Sequence, residues 1–166
     1  MGKRYIVGAR MKSMSKEDQQ KILDKTGYRL LSNPDDDYEH SIKEIPVNGR
    51  KLIVTYKEKN AKKDAHDREK SIERLMAKLK KKGTNPTDLI SNFGYKKFLQ
   101  LKGKATVEIN QEKIEKEKLW DGLHGVITNH PDLTPEQIIR QYHGLWQVEQ
   151  CFRVSKHDLK IRPIFH

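Results

Sequence analysis

A chain of 166 residues, 34% hydrophobic and 34% charged, has room for one domain, or one domain with an inserted lobe, and for a small core with long solvated faces. Its net charge of +11 and pI near 9.6 favour polyanionic partners and disfavour acidic ones. The single cysteine, Cys151, excludes an internal disulfide framework and a multi-cysteine zinc site, and no apolar run is long enough to cross a bilayer.

The basic opening, MGKRYIVGARMKSMSKEDQQ, has no signal-peptide core, so the cytoplasm is the default compartment. Within it, Arg4 to Arg10 is strand-like, with aromatic and β-branched residues between basic ends. Ser15 is placed to cap a short helix, KEDQQKILDKTG, closed by Gly27, with Ile22 and Leu23 as its core contacts. Residues 29–57 read as strands and turns. RLLS is short, SNPDDDYEHS is a loop, and SIKEIPVNGRKLIVTYKEK is a hairpin turning at Asn48-Gly49. Asp35, Asp36, Asp37, Glu39 and His40 have the composition of a metal site, but adjacent acids in an Asn-Pro loop are expected to be a solvated turn.

Residues 60–82 form a strongly charged helix ending at Gly83, with one apolar stripe of Ile72, Leu75, Met76 and Leu79. Lys78, Lys80, Lys81 and Lys82 crowd its last turn, where the helix dipole favours cations and where phosphates would also be attracted. Residues 84–94 are a loop with room for one helical turn. A basic segment follows, Lys96, Lys97, Lys102 and Lys104, interleaved with Tyr95, Phe98 and Leu101. It is either a grip for a nucleic-acid strand or an exposed amphipathic edge. Thr106 to Ile109 is a short strand. In residues 119–130, Asp121-Gly122 is a turn dipeptide leading into a strand, so Asp121 is not taken as a catalytic acid.

From Thr134 to Pro163 the chain reads as one long helix. Thr134 and Gln137 have capping-box spacing, Pro135 sits at the first helical position, and Pro163 marks the stop. Tyr142, Glu149 and Lys156 recur every seven residues and therefore fall near one line, with Leu145, Trp146 and Phe152 on the same side. An acid on an apolar stripe must be compensated if it is buried, by a cation, a metal or water. Arg153, one turn on, is the nearest cation, and an ordinary surface Glu149–Arg153 pair is the plain alternative. Cys151, inside this helix, is expected to pack rather than react. There is no internal repeat, Gly-rich phosphate loop, zinc pattern or nucleophile–histidine constellation.

The stretch YHGLWQVEQCFRVSKHDLKIRPIFH resembles the signature of bacterial insertion-sequence transposases of the Asp-Asp-Glu class. The relevant subgroup spaces Tyr, Arg, Glu and Lys by two, three and six residues. Tyr142, Glu149 and Lys156 match, while Leu145 stands where Arg is usual, so a DNA contact from that position is not carried over. The resemblance implies an α/β fold, α+β over this stretch: part of a ribonuclease-H-like core at 1–27, a β-rich insertion with one charged helix at 28–118, and a return to the core at 119–166. It implies that Glu149 is a catalytic acid and metal ligand for Mg2+ or Mn2+, and that Tyr142, Lys156 and Arg153 approach transposon-end DNA. Bacterial, nucleoid-associated location goes with it.

In that family a strand like YIVGAR follows the second catalytic aspartate, and an Asp-Gly like Asp121-Gly122 precedes the later strand without a catalytic role. Both strand aspartates are therefore expected upstream of residue 1, and the chain is expected to be a C-terminal piece, inactive alone, with a bare sheet edge. The alternatives are a non-catalytic basic module that holds nucleic acid, DNA or RNA, or one that pairs with an intact transposase subunit.

Overall fold

The computed structural model describes residues 3–31, 40–80, 93–102 and 106–157. The fold mixes helix and antiparallel sheet. In chain order the elements are β1 (Ile6–Gly8), a 3-10 turn (Met11–Ser13), α1 (Lys16–Leu23), β2 (Arg29–Leu31), β3 (His40–Val47), β4 (Arg50–Lys57), α2 (Glu58–Lys80), α3 (Phe93–Lys96), β5 (Leu99–Lys102), β6 (Thr106–Ile109), α4 (Gln111–Lys118), β7 (Leu123–Thr128) and α5 (Pro135–His157). One sheet has the order β1-β7-β4-β3-β2, and β5 and β6 make a second, two-stranded one.

The chain divides into two compact units. The first holds Met1–Arg29, Ile42–Thr55 and His124–His166, and the second Leu30–Ser41 and Tyr56–Leu123. Residues 42–55, placed by sequence within the 28–118 stretch, group with the first unit.

In the first unit, Asn48 and Gly49 turn the β3–β4 hairpin with φ of 49° and 71°. Two successive positive-φ residues match the right-handed twist of the flanking strands. Leu52, Ile53, Val54 and Thr55 are buried in succession, as in a strand covered on both faces. β7 pairs antiparallel with β1, Ile6 opposite Thr128 and Gly8 opposite Val126. β1 is the sheet edge and only three residues long. The Ser15 cap is present: its hydroxyl accepts the Asp18 N–H at 3.1 Å. The helix stops at Leu23, short of Gly27, because the Asp24 carboxylate accepts the Thr26 N–H at 2.9 Å and draws the backbone out of the helix. Gly27, at φ 86°, turns the chain afterwards.

In the second unit the core is Leu75, Phe98, Leu99, Val107 and Ile114, with Ile72, Leu79, Tyr95 and Ile109 packed against it. α2 contributes its apolar stripe, and α4 contributes Ile114 after an Asn110 cap whose side chain accepts the Lys113 N–H at 2.9 Å. The expected end of α2 at Gly83 and the acids Asp35, Asp36, Asp37 and Glu39 lie outside the described residues. His40, expected in that loop, is instead a buried residue of β3.

One junction ties this unit together. Arg68 donates from both terminal nitrogens to the Asp121 carboxylate, at 2.5 and 2.7 Å, with only 9% and 18% of the two side chains exposed. The hydrogen bond to Asp121 holds the Arg68 guanidinium above its ordinary pKa. The next residue, Gly122, has φ 75° and gives its N–H to Asp64 at 2.9 Å. A Cβ there would stand 2.7 Å from the Lys57 carbonyl oxygen, so only glycine fits.

Arg68→Met is expected to lower stability by about 2–4 kcal/mol, since it leaves a mostly buried carboxylate unpaired. Adding Asp121→Leu should restore most of the loss. Gly122→Ala should cost about 2–4 kcal/mol through backbone strain and overlap. Chemical denaturation of the single and double variants measures all three.

Candidate functional site

The candidate site belongs to α5, in the first unit. Its start is a reciprocal capping box. Thr134 gives its N–H to the Gln137 amide oxygen at 2.9 Å, and the Gln137 N–H goes to the Thr134 hydroxyl at 3.3 Å. Glu136, in the first turn, accepts from Arg29 at 2.5 Å. Its carboxyl is held below the ordinary range by its own backbone N–H and then by Arg29. Two turns of the helix then seat on the sheet. Ile138 is 0% exposed, and α5 packs along β1, where the Tyr142 hydroxyl lies 2.8 Å from the position a Cβ on Gly8 would take. A glycine at this point of β1 is what lets the tyrosine lie against the strand.

The residues Ile138, Tyr142, Leu145, Glu149, Phe152 and Lys156 succeed one another at steps of four and three and so form one row along the helix. The row is buried at Ile138 and half-buried at Tyr142. It is open beyond them, with Leu145 57% and Phe152 63% exposed. Val148 and Val154 are exposed as well. Glu149 sits in the middle of the open part, its side chain 67% exposed, accepting from Arg153 at 2.9 Å.

This is the plain reading of the spacing, a surface Glu149–Arg153 pair, and not a buried acid on a packed stripe. Glu149 meets no desolvation penalty, and the compensating cation is an exposed i,i+4 partner. Cys151, expected to pack, is exposed too. The heptad spacing identified the correct side of the helix, but the cover over its second half is not supplied by the described residues. The side chains of Trp146 and Lys156, and the helix end expected at Pro163, lie outside the described residues.

Tyr142, Glu149 and Arg153 thus share one helix side, with Tyr142 turned onto β1 and the charged pair outward. Among the described residues, no group of three or more His, Cys, Asp or Glu side chains is placed to hold a metal ion. Asp121, not taken as a catalytic acid from the sequence, is engaged by Arg68. The sequence did not reveal that partner. The available signal was Arg68 standing one turn before Ile72, Leu75 and Leu79, in line with the apolar stripe of α2.

In the second unit the basic segment does not present its aromatics. Phe98 is fully buried with the Lys97 ammonium 4.8 Å from its ring centre, and Tyr95 lies 4.8 Å beneath Lys78. Stacking on bases from Phe98 is therefore overturned, and Leu101's side chain lies outside the described residues. No protein-family model, curated protein or solved structure matches the chain. No helix among the described residues is long and apolar enough to cross a membrane.

Two outcomes follow from the burial gradient and the capping acid. Ile138→Ala should cost about 2–4 kcal/mol, while Glu149→Gln should change stability by less than about 0.5 kcal/mol. Parallel denaturant titrations compare them. For Glu136, the native carboxylate binds a proton less tightly than the unfolded one. Its contribution is therefore complete above the ordinary carboxylate range and lost as pH falls through and below that range. The thermal midpoint of the wild-type chain should fall more steeply in acid than that of Glu136→Gln.

Proposed function

We propose that this chain is the glutamate-bearing C-terminal part of a metal-dependent DNA transposase of the Asp-Asp-Glu class, built on a ribonuclease-H-like core. Cleavage and strand transfer at phosphodiesters need carboxylates converging on two divalent ions. Glu149 is the acid this chain contributes in this proposal, Arg153 is its outward-facing neighbour, and the roles of Tyr142 and Lys156 toward the DNA rest on the signature resemblance alone. The observation that carries the proposal is the row on α5. The helix side that seats Ile138 and Tyr142 at the sheet edge continues outward as an uncovered apolar face with a carboxylate at its centre. A fold that needed Glu149 only for solubility has no reason to surround it with Leu145, Val148 and Phe152.

The described residues do not fit a metal by themselves. Glu149 stands among them as a carboxylate paired with Arg153, without the two further acids such a cage requires. Two aspartates on strands encoded upstream complete it in this proposal, with Mg2+ or Mn2+ bound only then. A second reading, a basic module that holds nucleic acid without cutting it, is favoured by charge. Residues 70–104 carry ten Lys/Arg and two Asp/Glu, a net +8 of the chain's +11.

Purified chain should show no Mg2+-dependent nicking or strand transfer on duplex DNA. Protein made from the reading frame extended upstream should show it, and Glu149→Gln should reduce it at least a hundredfold. An extended protein whose activity survives Glu149→Gln, or an upstream frame with no strand-borne pair of aspartates, overturns the proposal.

A further inference from the structure

We propose that α2 carries a phosphate-backbone site for double-stranded DNA, separate from the α5 residues. The proposal stands on charge and helix geometry and holds whether or not the chain descends from a transposase.

Lys59, Lys63, Lys70, Arg74 and Lys78 follow one another at steps of four, seven, four and four, so they line up along one side of α2. All five are exposed. The row spans twenty residues, and its nineteen rises make roughly 29 Å at ~1.5 Å per residue. Asp67 stands within the row, and Asp64 and Glu73 flank it on either side. The apolar stripe of Ile72, Leu75 and Leu79 lies well round the helix on the core side, and Arg68, paired to Asp121, is also on that side. The fold therefore uses one side of α2 and leaves the basic row to solvent. α3 packs on α2 and brings Lys96, also exposed, to the Lys78 end through Tyr95.

The row is not explained by helix formation. The macrodipole favours cations at the C-terminal turn, which accounts for Lys78 and Lys80. It disfavours them near the N-terminus, where Lys59 and Lys63 stand. Like charges at i,i+4 repel, and Lys59/Lys63, Lys70/Arg74 and Arg74/Lys78 are all such pairs. A line of phosphates turns each of these repulsions into an attraction.

Duplex DNA is the polyanion that fits best. It carries one charge per ~1.7 Å of axis, about twice the density along a single strand. Binding of single strands leans on exposed aromatics for base stacking. Here Phe98 is buried and Tyr95 lies under Lys78, so the basic surface meets phosphates rather than bases.

The test measures fluorescence anisotropy of a mixed-sequence 20-base-pair duplex and of one of its strands, with the full chain, across a salt series and without added metal. The duplex should bind more tightly than the single strand. In Lys70→Gln/Arg74→Gln/Lys78→Gln, duplex affinity should fall at least tenfold and the slope of log K against log salt should shrink by about 2.7, the release expected from three phosphate contacts. Lys70→Arg/Arg74→Lys/Lys78→Arg should restore both, which separates lost charge from lost folding. Lys16→Gln/Lys25→Gln, exposed in the first unit, should leave the slope unchanged. An unchanged slope in the Gln triple overturns the proposal, as does an equal loss per charge from Lys16→Gln/Lys25→Gln, or tighter binding of the single strand. Because no metal and no cleavage enter, these outcomes are independent of Glu149.

Discussion

The bidentate pair of Arg68 and Asp121 is the constraint on which the second unit depends. It joins the middle of α2 to the turn that precedes β7, across fifty-three residues of sequence. A largely buried pair adds little net stability compared with apolar groups of the same shape, but it tolerates no half measures, because one partner without the other is a stranded charge. Its contribution is therefore rotational. With Arg68 directed at Asp121, α2 has one allowed setting about its own axis, in which Ile72, Leu75 and Leu79 meet Phe98, Leu99, Val107 and Ile114. Gly122 makes the setting stricter, since its N–H is committed to Asp64 and its Cα has no room for a substituent.

That rotational setting has a consequence on the far side of the helix. Once the apolar stripe and Arg68 face the core, the cations at 59, 63, 70, 74 and 78 fall on the exposed side, Lys78 lying over the Tyr95 ring. α5, in the first unit, shows the opposite arrangement. Its first two turns are tied by the Thr134–Gln137 box, Arg29 and Ile138, while the same side further along carries apolar residues and one acid into solvent. In the first helix an exposed face is charged and suits water or phosphate. In the second an exposed face is apolar around a carboxylate, which suits burial by further polypeptide with the acid kept at its edge.

What the sequence disclosed was local, and what it hid was long-range. Asn48-Gly49, Ser15, Thr134 with Gln137, and Gly122 each act through backbone geometry within a few residues, so residue type and spacing were enough to place hairpin, caps and turn. Asp24 was the local exception. Its Asx turn ended α1 one turn before the glycine that seemed the natural stop. The Arg68–Asp121 pair was invisible because nothing in either neighbourhood names the other. Asn110 was a legible cap that was passed over, in a segment dominated by lysine and glutamate. The candidate site divides the same way. Spacing put Tyr142, Glu149 and Arg153 on one side of a helix and named Arg153 as the partner of Glu149, but periodicity reports direction and not cover, so Cys151 was expected to pack when it is exposed.

The α2 row and Glu149 belong to different units, and their immediate surroundings differ in kind. A nuclease acid and a dense phosphate-binding row are poor neighbours within a Debye length of about 8–10 Å, because cations that draw the backbone also draw the carboxylate into ion pairs. Glu149 already shows this on a small scale, held by a single Arg153. Were the α2 row placed on α5, the acid would be committed to lysine at every turn. Net charge is not confined to the second unit: the first, which holds Glu149, has 16 Lys/Arg and 8 Asp/Glu, and the second has 18 and 15. Affinity for a polyanion is additive over many weak, exposed contacts and can sit on a peripheral helix. Chemistry at a carboxylate needs it released to the reaction's own partners, so under the proposed function the Glu149–Arg153 pair has to open. The line of cations on α2 and the acid on α5 thus belong to different units, although basic residues as a whole are spread over both.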